Sequence, residues 1–239
     1  LRLLIILPAL LLILPASAQE PVRQSRTIRI LFLNAPQNAP ATAHLHDGSA
    51  SQQVDLPRMN LSLPYKVPVG PLKLRLLATP VADPKLVPPA APAAVIPETM
   101  GDAYLLCISD PANAIMPVSV AVVDAGKETF RDGQMMWFNL TPHTVGGILG
   151  KEKVTLKPHA RVLVDAPADE AASYPASIFY MIQGDKRVHP ICETRWLHDP
   201  RSRHLVFVFT ETGRRLPRIL SFADYRPPPP PEKKPTETP

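Results

Sequence analysis

The sequence predicts an all-β protein: one or two antiparallel β-sandwich lobes, immunoglobulin-like or Greek-key in connectivity, with little helix. Three observations lead there. Apolar and polar residues alternate over short runs, the period-two signature of half-buried strands. Proline supplies 31 of the 239 residues and recurs every few positions, leaving few stretches that a helix interior could tolerate. Turn-forming clusters (Asn38-Ala-Pro40, His46-Asp-Gly48, Arg131-Asp-Gly133, Gly184-Asp185 and Asp199-Pro-Arg-Ser202) punctuate the chain at close spacing, as in sandwiches and barrels.

The elements follow in order. Thr27–Leu33 places Ile28, Ile30 and Phe32 on one face of a strand, and Thr42–His46 makes the next. Leu61–Leu63 and Leu72–Leu76 alternate in the same way. Residues 80–97 then carry prolines at 80, 84, 88, 89, 92 and 97 among Ala and Val, which predicts an extended polyproline-like loop. After the strand-like run Tyr104–Ile108, Ser109–Ala114 is the predicted lobe boundary, because strong strand signals flank it. It divides an N-terminal lobe, 27–110, from a C-terminal lobe, 115–225. Val118–Val122, Val154–Lys157, Arg161–Val164, Ser177–Ile182, Ile191–Trp196, His204–Phe209 and Arg218–Phe222 complete the strand series. Ala168–Ser173 is the sole helix candidate, and no internal repeat is visible in the residues.

Both ends read differently from this body. Arg2, the apolar run Leu3–Leu14 and Ala16-Ser-Ala18 have the layout of a secretory signal peptide. The run is shorter than the roughly 20 residues a spanning helix needs. The expectation is cleavage after Ala18, export to the periplasm or beyond, and a mature protein that is not integral to the membrane. Arg226–Pro239, with Pro227–Pro231 in succession, is low-complexity and predicted to be disordered or extended.

Chemistry is thinly signalled. The formal net charge of +5 is too small and too evenly spread to imply nucleic acid. Gly-x-Ser-x-Gly, phosphate-loop and dinucleotide motifs are absent, so an enzyme is not the expected class and no cofactor is implied. An export route permits a disulfide between Cys107 and Cys192, the two cysteines of the chain. Both lie in apolar runs, which favours two buried free thiols instead. Trp137–Val145, with Asn139 and His143, is similar to a cupredoxin segment and would make His143, Cys192 and His198 copper candidates. Against this, Cys192 and His198 are six residues apart on one strand, about 20 Å if extended. His44 and His46 share a strand face without an identified third ligand. Asn60-Leu-Ser62 and Asn139-Leu-Thr141 fit the glycosylation sequon, read here as chance.

Arginines gather late in the chain: Arg195, Arg201, Arg203, Arg214, Arg215 and Arg218. On a hairpin of Glu193–His198 and His204–Thr210 several would share an edge. That edge would suit lipopolysaccharide or an acidic glycan, or would guard the sheet against aggregation.

Residues 117–225 carry a further likeness in Trp137–Thr141, Ile148–Gly150, Val154–Pro158, Thr194–Trp196, Arg203–Phe209 and Leu220–Asp224. This region resembles a type of uncharacterised secreted β-sandwich protein of planctomycete and verrucomicrobial bacteria. The resemblance implies a sandwich and no catalytic residues. The expected function is an exported, non-enzymatic binding or structural module of the envelope. Its partner would be an envelope protein or an anionic glycan, met through strand edges and the loops Arg131–Gln134 and Gly184–Lys186. A cupredoxin-like redox protein and a hydrolase of envelope polymers are the alternatives.

Overall fold

The computed structural model describes residues 25–225 apart from 169, 186 and 212. The predicted signal segment and the proline-rich tail lie outside the described residues.

The described chain folds into two sandwich lobes. The first contains β1 (Ser25–Leu33), β2 (Thr42–His46), β3 (Ser51–Asp55), β4 (Tyr65–Pro68), β5 (Leu72–Leu77), β6 (Ala93–Ile96), β7 (Ala103–Ser109) and β8 (Val118–Asp124). The second contains β9 (Met135–Asn139), β10 (Thr144–Leu149), β11 (Glu152–Leu156), β12 (Arg161–Val164), β13 (Ala172–Met181), β14 (Val188–His198), β15 (Ser202–Phe209) and β16 (Arg218–Tyr225). Each lobe has two four-stranded sheets. The expected all-β class holds.

The strand orders reveal a repeat that the residues conceal. Lobe 1 has sheets β4-β1-β7-β8 and β3-β2-β5-β6, and lobe 2 has β12-β9-β15-β16 and β11-β10-β13-β14. Adding eight to every strand number of the first lobe gives the second. Pairing sense repeats as well: β1 runs parallel to β7 and β9 parallel to β15, while all other ladders are antiparallel. Topology preserves the duplication because it depends on which faces are apolar, a property many different residues satisfy.

Each sandwich has its own core. Ile28, Ile30, Phe32, Leu45, Leu74, Leu105 and Cys107 fill the first. Trp137, Val145, Tyr174, Ile178, Tyr180 and Val206 fill the second, with Trp196 stacked on Trp137 at 5.7 Å. A third cluster lies between the lobes. The β1–β7 sheet presents Leu31, Leu33, Tyr104 and Leu106, and the β9–β15 sheet presents Leu205, Phe207, Phe209 and Phe222. Phe130, from the short link between lobes, is fully buried in the same cluster. Each such side chain gains about 1.5–3 kcal/mol on burial, so this apolar contact holds the lobes as one body. The four sheets therefore stack in layers, with the two equivalent sheets innermost.

Several expectations need correction. The change of lobe falls after β8 and not at 109–114, because β8 pairs with β7 along its whole length; residues 110–117 are a hairpin loop, where Asp110 N–H donates to Pro117 O. Leu61–Leu63 is no strand. Ser62 exchanges hydrogen bonds with Ile30 of β1, but Pro64 has no N–H with which to extend a ladder. The proline-rich stretch 80–97 is not one loop: it holds a 3₁₀ turn, Pro84–Leu86, and the short edge strand β6. Among the described residues of 168–173 there is no helix, and β13 begins at Ala172. The predicted hairpin of Glu193–His198 with His204–Thr210 does not exist, because β14 pairs with β13 while β15 pairs with β9 and β16. Consecutive strands here cross from one sheet to the other. The turns themselves are where the residues place them, with Gly48 and Gly133 at φ of 99° and 83°, angles that favour glycine. No helix among the described residues is long and apolar enough to cross a membrane.

Candidate functional site

Two cross-strand pairs face each other where the lobes meet. Arg29 of β1 lies beside Tyr104 of β7 in register, and Arg203 of β15 lies beside Asp224 of β16. Alternation turns all four toward the other lobe, and they converge on one carboxylate. Asp224 Oδ2 accepts from Arg203 Nη2 at 2.5 Å and from the Tyr104 hydroxyl, while Oδ1 accepts from Arg29 Nη1. Arg203 is nearly inaccessible, and its Nη1 donates to the carbonyls of Ala125 and Phe130, both at 2.8 Å. Its guanidinium also lies 4.9 Å from the Phe130 ring centre and 5.5 Å from that of Tyr104, within cation–π range. Burial works to raise the Asp224 pKa, but the bonds from Tyr104 and Arg203 and the charges of Arg203 and Arg29 outweigh it and hold it below the ordinary carboxylate value.

Beside this cluster opens an interlobe cleft of about 390 Å³. Thr27, Arg29, Asp102, Ala103 and Tyr104 line it from lobe 1, Leu63 and Pro64 form an apolar rim, and Arg203, Asp224 and Tyr225 close it from lobe 2. Asp102 is engaged, since its Oδ1 accepts from the Thr27 N–H at 2.8 Å. Small-ligand sites commonly form at such domain junctions and in this size range.

A smaller cavity of about 160 Å³ lies in lobe 2, between Tyr174, Trp196, His198, His204 and Ser221. The two nitrogens of His204 meet the Ser221 hydroxyl at 3.0 Å and the Ser202 hydroxyl at 3.1 Å. Burial, and then the neighbouring His198, push the His204 pKa down. His198 is buried, with no partner for its Nε2 among the described residues.

The residues singled out from sequence scatter through this frame. The His143 ring lies tilted against that of Tyr180, ring centres 5.4 Å apart, and Tyr180 lies opposite His189, whereas His198 lies opposite Ala172. Eight strand positions, about 26 Å, therefore separate the places of His143 and His198, and Cys192 sits between them opposite Ile178. The three cannot share an ion, which overturns that copper reading; no cluster of three or more metal-ligating side chains occurs among the described residues. The cupredoxin-like Asn139 instead organises loops: its Nδ2 donates to the carbonyls of His143 and Lys157 at 2.7 and 2.9 Å, and its Oδ1 accepts from Thr141 N–H and Oγ1–H. His46 is buried and accepts from Gly48 N–H, while His44 faces Gln53 and Leu77 across the sheet. Cys107 and Cys192 are both free. Cys107 lies in the lobe 1 core and Cys192 on the far outer sheet of lobe 2, so the disulfide is excluded by placement. Burial pushes the Cys107 thiol up to about 12.

The arginine patch dissolves likewise. Arg203 is buried between lobes, Arg195 binds Ser173 on the outer sheet, and Arg201 is paired with Asp199. Arg214 and Arg215 lie beyond the other end of β15, and Arg218, opposite Phe209 at that end, pairs with Glu211. Of the expected contact loops, Arg131–Gln134 is tied down by bonds from Arg131 N–H to Gln134 Oε1 and from Gln134 Nε2 to Asp165, both 2.7 Å. In the other, Asp185 is held by Arg187 and His189, and Lys186 is outside the described residues.

Arg29, Tyr104 and Asp224 escaped the sequence reading as a site. A signal existed: Leu31-Phe-Leu33 and Leu205–Phe209 are apolar on both faces, as strands buried on both sides are. An arginine among them must find a buried countercharge.

No protein-family model matches the chain, and a search of curated proteins finds no match.

Proposed function

We propose that this chain is an exported, non-enzymatic binding module of the bacterial envelope whose ligand seat is the interlobe cleft. The observation that carries the reading is the saturation of Asp224 beside a cleft of ligand size. Its oxygens accept from Arg29, Arg203 and Tyr104, so the carboxylate has no role as a proton shuttle and serves instead to brace the two walls. The signal-like residues Leu1–Ala18 support export, and the likeness of residues 117–225 to secreted sandwich proteins supports the same compartment. An anionic glycan needs a net positive seat, and here Arg29 and Arg203 share Asp224 while Arg201 is held by Asp199. The exposed apolar rim of Leu63, Pro64 and Tyr225 therefore favours a segment of an envelope protein.

The test uses the exported chain immobilised against envelope extract. Leu63 is 75% exposed, so Leu63→Asp leaves the fold intact. It is expected to abolish retention of the bound protein, while Arg214→Ala on the remote loop leaves it unchanged. Retention by Leu63→Asp, or turnover of envelope polymers by the wild-type chain, overturns the proposal.

A further inference from the structure

Among the described residues β14 is the longest strand and ends the outer sheet of lobe 2, with no neighbouring strand on one side. Its eleven residues exceed the eight of β16, the next longest edge. An open edge of this length is a template for pairing with another strand, and natural edges are usually blunted by charge. Here the charges have a pattern. Trp196 and His198 face the core, so alternation puts Glu193, Arg195 and Leu197 on the outer face. Among the described residues Glu193 has no partner of opposite charge, and Leu197 is 72% exposed.

We infer that β14 pairs antiparallel with β14 of a second copy, about a two-fold axis through Thr194, joining the outer sheets of the two copies. A two-fold perpendicular to the sheet keeps each face on its own side. Opposed residues must then share a face, so the axis passes through a residue and not between residues. Centred on Glu193, the register sets glutamate against glutamate. Centred on Arg195, it sets arginine against arginine, and like charges directly opposite are destabilising. Centred on Thr194, Glu193 of each copy lies opposite Arg195 of the other, twice over. The same register carries exposed Leu197 to the Pro190–Ile191 end of the second strand. In the single chain Arg195 is exposed and folds back over β13, where its Nε and Nη2 donate to Ser173 at 3.1 and 2.8 Å; pairing turns it to the open edge to meet the carboxylate. Pro190 and the β-bulge opposite Ile178 and Phe179 lie at the end of the pairing and stop it from extending further.

This pairing is independent of the cleft, which lies on the inner sheets. It would present two clefts on one body, and binding at both raises avidity without new contacts.

Analytical ultracentrifugation of the purified chain is the test. The wild type is expected to sediment as a dimer. Glu193→Arg is expected to weaken association at least about tenfold, since it replaces two attractive pairs by two repulsive ones. The double swap Glu193→Arg/Arg195→Glu is expected to restore it, a rescue that a purely structural effect would not give. As a second reading, Thr194→Cys in a Cys192→Ser background should cross-link to itself on oxidation, because opposed Cβ atoms lie close to disulfide reach. Glu193→Cys in that background should not. A monomeric wild type, a dimer indifferent to Glu193→Arg, failure of the double swap to restore association, or cross-linking at 193 and not at 194 overturns the inference.

Discussion

Arg203 and Asp224 are register partners on neighbouring strands, joined at 2.5 Å, and the same carboxylate also takes Arg29 and Tyr104 from the opposite lobe. A bond within one lobe is thereby made into a bond between two. Both oxygens of Asp224 are satisfied, and with Arg203 and Asp224 almost wholly buried these bonds count for more than they would in water; Arg203 Nε is buried without a partner among the described residues.

Asp224→Asn should be severely destabilising. It leaves Arg203 buried without a countercharge, and breaking a buried pair from one side costs about 3–5 kcal/mol. Because each lobe keeps its own core, urea unfolding of the variant should resolve into two transitions, against one for the wild type.

The same carboxylate sets an acid limit. Its folded pKa lies below the unfolded value, so the folded state binds the proton less readily. The stabilisation is fully present above the unfolded carboxylate range near 4. It is lost as pH falls through the depressed folded value. Unfolding free energy measured against pH should decline on that acidic side for the wild type, with a shallower decline for Asp224→Asn.

The two thiols should behave oppositely. Cys107 is inaccessible and its thiol is pushed up to about 12, so little reactive thiolate exists near neutrality. Cys192 is half-buried on the outer sheet. Aromatic disulfide reagents should modify one thiol per chain promptly at neutral pH, and Cys107 only on unfolding. Stability should also fall as pH rises from the ordinary thiol range toward that folded value, since only the unfolded state then ionises freely.

Asn139→Ala should cost about 2–3 kcal/mol in chemical denaturation, because it strips donors from buried carbonyls and leaves the Thr141 N–H without an acceptor. Asn139→Asp keeps the acceptor but sets a carboxylate against the carbonyls of His143 and Lys157, 2.7 and 2.9 Å from the donor it removes. It should be no milder.

Period-two alternation made β1, β5, β8 and β12 readable, because one apolar face per strand is a local demand, while β7 and β15 were readable as short, nearly continuous apolar runs. β3, with Ser51-Gln-Gln53, and β6, among prolines, were not readable. They are short edges held by one ladder each, and their residues need satisfy little. The hairpin expected of Glu193–His198 with His204–Thr210 failed because adjacency in sequence does not say whether the next strand stays in the sheet or crosses to the other. The candidate site was illegible for the same reason. Arg29 and Asp224 are 195 positions apart, and nothing local ties them.

The residues alone determined the all-β class, the turns at Gly48 and Gly133 and the burial of Cys107, since each follows from local pattern and composition. The tertiary structure alone decided the eight-strand duplication, the place where the lobes divide, the burial of Arg203 and the separation of His143 from His198. These depend on which apolar faces find each other. Hydrophobic burial is non-directional, so strand patterning leaves the partner of each face open until the whole chain packs.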